Sequence, residues 1–226
     1  MNAHPVYVIN LQRRADRRKE MRRELSRAGW NATFFPAIEP SSPAGFESIG
    51  ARGCFLSHLS VLKAAREARV KRLIVLEDDV NFCRHFPEQW RQLVADLDQL
   101  DWSICYPGHA IPDLPRGLSF LPAGTNVMCS HFIAINGPAV DQIVKGLESI
   151  LTRPAGHPDG GPMHVDGAYT TIRAQNPILK TYAASPVLGY QRSSRTDVRR
   201  GYWFDRLPFA QPLMGAMRKA KERWNR

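Results

Sequence analysis

Leu73-Ile74-Val75-Leu76-Glu77-Asp78-Asp79-Val80 sets four bulky apolar residues directly before three carboxylates. An apolar run of that length is too short for a helix and reads as a strand buried on both faces, the kind found in a parallel sheet. In open α/β sheets, ligands bind in the crevice beyond the carboxyl ends of the strands. An acidic cluster at that point therefore lies where chemistry is expected.

Upstream of this stretch, Phe55, Leu59 and Leu62 recur at helical spacing between Gly53 and Val70, and Ala65 and Ala68 continue the pattern, so a helix feeds the strand. Earlier, Pro5 to Leu11 is β-branched and aromatic and reads as a buried first strand ending at Asn10. Met21, Leu25 and Ala28 mark an amphipathic helix over Ala15 to Ala28, closed by Gly29. Thr33 to Phe35 is a short strand stopped by Pro36, and Glu39 to Gly50 is a loop.

Downstream, Phe86 to Leu100 reads as a helix with Pro87 in its first turn, and Trp102 to Tyr106 as a strand. Pro107 to Gly124 is mostly loop, with a short strand at Leu118 to Leu121. His131 to Ile135 is a strand, Pro138 to Leu151 a helix, Val165 to Ala174 a short helix and Ile178 to Ala183 a last strand. The Gly- and Pro-rich Thr152 to Pro162 is the candidate lid loop. This alternation predicts an α/β fold, a mixed and mainly parallel sheet flanked by helices. Residues 1–210 form one domain in this reading, and 211–226 a basic amphipathic helix suited to an anionic membrane surface.

Apolar content of 43% and charged content of 23% are those of a globular chain, which excludes wholesale disorder. The formal charge of +10 favours an anionic partner: nucleic acid, a phosphorylated small molecule or an acidic membrane surface. No apolar run reaches the roughly 18 to 20 residues of a spanning helix. The start of the chain lacks a signal-peptide pattern, so a cytoplasmic protein is expected. Cys54, Cys83, Cys105 and Cys129 form no CxxC pair and read as reduced, packed thiols.

Glu77, Asp78 and Asp79 are hard oxygen ligands of the kind that suits Mg²⁺ or Mn²⁺. If strand alternation continues through them, Glu77 and Asp79 share one side and Asp78 takes the other. The bland alternative is an acidic turn facing water. Between Leu11 and Arg27, eight basic residues stand against three acidic ones, and Arg14 and Arg17 are nearest the first strand, where a diphosphate would need guanidinium groups. Neither GxGxxG nor GxxxxGK[ST] is present. In Gly50 to His58, GARGCFLSH, two glycines permit close backbone approach before a helix whose N-terminus could face an anion beside Arg52. His58 there reads as a core histidine at least as readily as a ligand. In Met163 to Arg173, Asp166 is either a general base or an N-cap, and His164 could complete a metal shell. Arg192, Ser193 and Ser194 in Tyr190 to Asp197 are phosphate partners or an ordinary exposed loop.

Taken together, YVINLQRRADRRKEM, GCFLSHLSVLKAA and LIVLEDDV resemble glycosyltransferase family 25, and MCSHFIAINGPAV, HVDGAYTTIR and QRSSRTDV extend the resemblance. That resemblance implies a GT-A-like fold, a sugar-nucleotide donor, a divalent metal and inversion at the anomeric carbon. It implies that Glu77, Asp78 and Asp79 are the DxD-type signature holding metal, ribose and diphosphate, and that Asp166 is the base. The expected reaction is hexosyl transfer, galactose favoured, from a UDP-sugar to a saccharide or glycolipid acceptor in lipopolysaccharide or other surface-glycan synthesis. The competing readings are a basic nucleic-acid-binding protein and a metal-dependent phosphohydrolase. Few aromatics interleave with Lys or Arg, which speaks against the first.

Overall fold

The computed structural model describes residues 4–192. In chain order the elements are β1 (Val6–Asn10), α1 (Ala15–Ala28), β2 (Thr33–Pro36), α2 (Ile49–Glu67), β3 (Arg72–Glu77), β4 (Val80–Phe82) and α3 (Phe86–Asp98). They continue with β5 (Ile104–Gly108), β6 (Gly117–Leu121), β7 (Phe132–Asn136), α4 (Gly137–Thr152), α5 (Val165–Gln175), β8 (Thr181–Ser185) and β9 (Gly189–Gln191). Ser193, Ser194 and the basic segment 211–226 lie outside the described residues.

Seven strands form one sheet in the order β2-β1-β3-β7-β5-β8-β6. β1 pairs parallel with β2 and β3, and β5 parallel with β8, while β7 is antiparallel to β3 and β5, and β6 to β8. Five strands therefore run one way and β6 and β7 the other, the mixed, mostly parallel sheet that the alternation predicts. The carboxyl ends of β1, β2, β3, β5 and β8 share an edge with the start of β7.

β3 is covered on both faces, as its unbroken apolar run requires. Leu73 and Val75 join the core under α2, α4 and α5, with Phe55, Leu62, Ile143 and Ile172. Ile74 and Leu76 join the opposite core under α1 and α3, with Met21, Leu25, Trp30 and Phe86. The register sets the site: Ile9 lies beside Glu77, so Asn10 reaches the first residue past the end of β3.

Three expectations change. α2 starts at Ile49, capped by Ser48 Oγ, which accepts from Ala51 N at 3.0 Å. Gly50, Arg52 and Gly53 therefore belong to the helix rather than to a loop before it. A Cβ on Gly53 would lie 2.6 Å from the Ile38 carbonyl oxygen, so glycine there lets the segment after β2 pass against α2. The 152–162 segment is tied down rather than open: Arg153 donates to the Asp159 carbonyl, as does Gln175 Nε2 at 2.9 Å, and a Cβ on Gly161 would meet the Pro154 carbonyl. Finally, β4 and β9, absent from the sequence reading, form a separate two-stranded antiparallel sheet. Among the described residues, no helix is long and apolar enough to cross a membrane.

Candidate active site at the carboxyl edge of the sheet

β3 ends at Glu77, and Asp78 and Asp79 form the turn into β4. Strand alternation stops there, so Asp78 and Asp79 do not take opposite faces: both meet the guanidinium of Arg17. Arg17 Nη1 donates to Asp78 Oδ1 at 2.9 Å and lies 3.3 Å from Asp79 Oδ2. Asn10 Nδ2 donates to the other Asp78 oxygen at 2.7 Å. β9 brings in a third group. Gln191 Nε2 lies 3.4 Å from Asp79 Oδ2, and the backbone N–H of Arg192 donates to the Asp79 carbonyl at 2.7 Å.

Asp78 and Asp79 are each 5% exposed, yet three carboxylates share little positive charge. Burial is the largest influence on Asp79, and the neighbouring Glu77 and Asp78 charges add to it; against the opposing pull of Arg17 and Arg192, its carboxyl is pushed up to about 7. Asp78 is raised as well, by burial first, with Arg17 and Asn10 opposing. Glu77 goes the other way: burial acts to raise it, but His58, then His131 and Arg17, outweigh that and hold it below its ordinary value. Asp79 Oδ1 is buried and accepts no hydrogen bond. An orphaned carboxylate oxygen inside an acidic cluster fits a bound cation, and Asp79 with Glu77 is the hard donor set to hold one.

Near the start of β7, Asp166 sits in the first turn of α5. Its two oxygens accept the backbone N–H groups of Cys129, at 2.8 Å, and Ser130, at 2.9 Å. Cys129 has φ of 69°, a left-handed conformation unusual outside glycine, which lets two successive N–H groups face one carboxylate. Next in the chain, the His131 carbonyl accepts from the Glu77 N–H at 2.9 Å, so the Asp166 clamp and the acidic turn share the entrance to β7.

Residues 3–106 match the sequence profile of "Glycosyltransferase family 25 (LPS biosynthesis protein)", a span holding Asn10, Arg17 and the Glu77-Asp78-Asp79 turn. Over that span the chain is similar to glycosyltransferase family 25. Procollagen galactosyltransferase 2 of Mus musculus is 31% identical over 225 residues, covering 84% of this chain and 35% of the relative. The Homo sapiens protein of the same name is 25% identical over 224 residues, with the same coverage of both chains. The chain thus spans about a third of the length of these relatives. Among solved structures it is similar to A197 from STIV, with TM-score 0.47, 12% identity and coverage of 88% of this chain and 98% of that one. It is also similar to apo mouse xyloside xylosyltransferase 1, with TM-score 0.46, 10% identity and coverage of 87% and 99%. Likeness at that level does not by itself define a shared fold.

Asn10, Arg17, Glu77, Asp78, Asp79 and Arg192 meet in one place. Arg192 braces the turn: its Nε donates to Asn81 Oδ1 at 3.0 Å and its Nη1 pairs with Glu20, while Nη2 is buried and makes no hydrogen bond. Arg14 pairs with Asp16, two residues on. Arg52 donates to the Ser42 carbonyl at 2.9 Å and braces the loop before α2. His164 does not join the metal set: its Nε2 lies 2.7 Å from Glu47 Oε2, because α5 starts with that side chain turned toward the loop before α2. The sequence reading missed Gln191, Asn81 and Glu20. Only the adjacency of Gln191 to Arg192 hinted at the first, and pairing of β4 with β9 brings it to Asp79.

Proposed function

We propose that the chain is a GT-A-like catalytic domain that transfers a hexose, galactose first, from a UDP-sugar to a saccharide or glycolipid acceptor with inversion, dependent on Mn²⁺ or Mg²⁺. The observation that carries this reading is the buried acidic turn at the carboxyl edge of the central strand, undercompensated by Arg17 and with Asp79 Oδ1 unpartnered. Kinship with procollagen galactosyltransferases supports galactose as the first donor sugar to try.

Asp79 and Glu77 would hold the cation, which supplies charge neutralisation to the leaving nucleoside diphosphate. The chain's own residues prepare the site. Arg17 and Asn10 fix Asp78 by its two oxygens, which sets the turn before donor arrives. Arg192 locks the turn from β9. As the bond to the diphosphate breaks, the anomeric carbon gains oxocarbenium character, and an acceptor hydroxyl attacking from the opposite face must lose its proton. Asp166 is the proposed base: each of its oxygens accepts one amide and retains a lone pair for that proton. Residues 211–226 would keep the enzyme at an anionic cytoplasmic membrane face, near lipid-linked acceptors and lipopolysaccharide or related surface glycans.

UDP release from a panel of UDP-sugars, with saccharide acceptors and Mn²⁺, tests the reading. Acceptor-dependent release that stops with chelator and in Asp79→Asn supports it. Acceptor-independent phosphate release would instead indicate a phosphohydrolase.

A further inference from the structure

Beside the acidic turn lies a second constellation with different chemistry. Cys54 and His58 stand four residues apart on α2, on one helix face, and both point at the end of β3. Cys54 Sγ is 3.7 Å and His58 Nε2 3.6 Å from the same oxygen, Glu77 Oε1. The three ligand atoms all lie within 4.8 Å of one another, and among the described residues no other group of three His, Cys, Asp or Glu ligands does so.

We propose that Cys54, His58 and Glu77 form a site for a thiophilic divalent cation of the zinc class. Bonds of about 2.3 Å to sulfur and about 2.0 to 2.1 Å to nitrogen and oxygen place tetrahedral ligand atoms roughly 3.3 to 3.5 Å apart. The two separations from Glu77 Oε1 exceed that by a few tenths of an ångström, and the Cys54–His58 pair lies within 4.8 Å. His58 is 0% exposed and its Nε2 makes no hydrogen bond, so a buried nitrogen faces the Glu77 carboxylate across 3.6 Å with its hydrogen-bonding capacity unused.

The outer shell fits too. His58 Nδ1 lies 3.2 Å from the hydroxyl of Tyr169 on α5, and in the tautomer that carries its proton on Nδ1 the Nε2 lone pair is left for a metal. The Glu77 side chain is 23% exposed, which gives the site an entrance from the sheet edge. Cys54 directs its S–H at Glu77 Oε1, and a bound divalent ion would take up the thiolate as a ligand. Widely spaced cysteines gave no hint of such a site, because the third ligand comes from a strand 23 residues away. A cation there would tie α2 to the end of β3 and fix the Glu77 carboxylate.

The test uses the full chain stripped of metal by chelator and titrated with Co²⁺, then Zn²⁺. Expected are a thiolate-to-cobalt charge-transfer band that saturates with one Co²⁺ at this site, displacement by Zn²⁺, and loss of the band in Cys54→Ser but not in Cys83→Ser. In competition with a chromophoric chelator, Tyr169→Phe should weaken Zn²⁺ binding about 10- to 100-fold. Absence of the band from the parent chain at saturating Co²⁺ overturns the proposal whatever the variants do, and so does a band that survives Cys54→Ser. The proposal shares Glu77 with the transferase reading, and Asp79→Asn separates the two, since it removes the metal-dependent transfer and leaves the thiolate band in place.

Discussion

Asp79→Asn should stabilise the metal-free protein at pH 8, although it removes a charged residue from the site. A carboxyl raised from 3.8 to about 7 in the folded chain is penalised by about 4 kcal/mol when forced to ionise, at about 1.4 kcal/mol per pH unit. Because the folded value lies above the unfolded one, the folded state binds more protons between them, and stability falls as pH rises from about 4 to 7. The value of about 7 already includes the pull of Arg17, and asparagine is neutral like the protonated acid, so a gain of about 4 kcal/mol is expected at pH 8. Thermal melts should then place the variant roughly 8 to 16 °C above the parent at pH 8. The advantage should fall to about half by pH 5.5 and vanish near pH 4, where the carboxyl is protonated in the folded and the unfolded chain alike. Adding Mn²⁺ at about 100 times its dissociation constant should raise the parent by about 2.7 kcal/mol and the variant by little. A variant less stable than the parent by the same margin at pH 8 and at pH 4 would refute the picture of Asp79 as a charge held at a cost for a cation.

Arg17→Met should cost about 3 to 5 kcal/mol in denaturant unfolding at pH 8, because it leaves two buried carboxylates without their guanidinium. Lys145→Ala, which breaks an exposed pair with Asp141, should cost under about 1 kcal/mol in the same assay. Gly53→Ala should lower stability by about 1 to 3 kcal/mol, since its Cβ would press on the Ile38 carbonyl at 2.6 Å; a melt equal to the parent's would show that the segment yields. Asp166→Asn should reduce kcat about 10²- to 10⁴-fold with little change in donor KM if Asp166 takes the acceptor's proton, whereas a loss of melting temperature alone would assign it only to clamping Cys129 and Ser130.

The sheet and most helices were legible because β3 and its neighbours carry their burial in an unbroken apolar run, and α1 repeats Met21, Leu25 and Ala28 at helical spacing. The start of α2 was not, because Ser48 caps it inside a stretch of prolines and glycines that reads as loop. β4 and β9 were invisible: three residues each, paired across more than a hundred positions, they have no period to detect. In the site, the acidic turn and the closeness of Arg17 followed from position at strand ends. Which way each side chain turns did not. Arg17 could be read as a diphosphate ligand and is instead bound to Asp78, and His164 could be read as a metal ligand and instead meets Glu47. Cys54 and His58 looked like core residues until β3 placed Glu77 between them.

The central claim is that the acidic turn holds a nucleotide through a divalent cation, and calorimetric titration of UDP into the full chain measures it most directly. The account predicts binding in Mn²⁺ that disappears with chelator and in Asp79→Asn. Equal UDP binding with and without the metal, or no nucleotide binding by a chain that instead binds DNA or RNA, would contradict it.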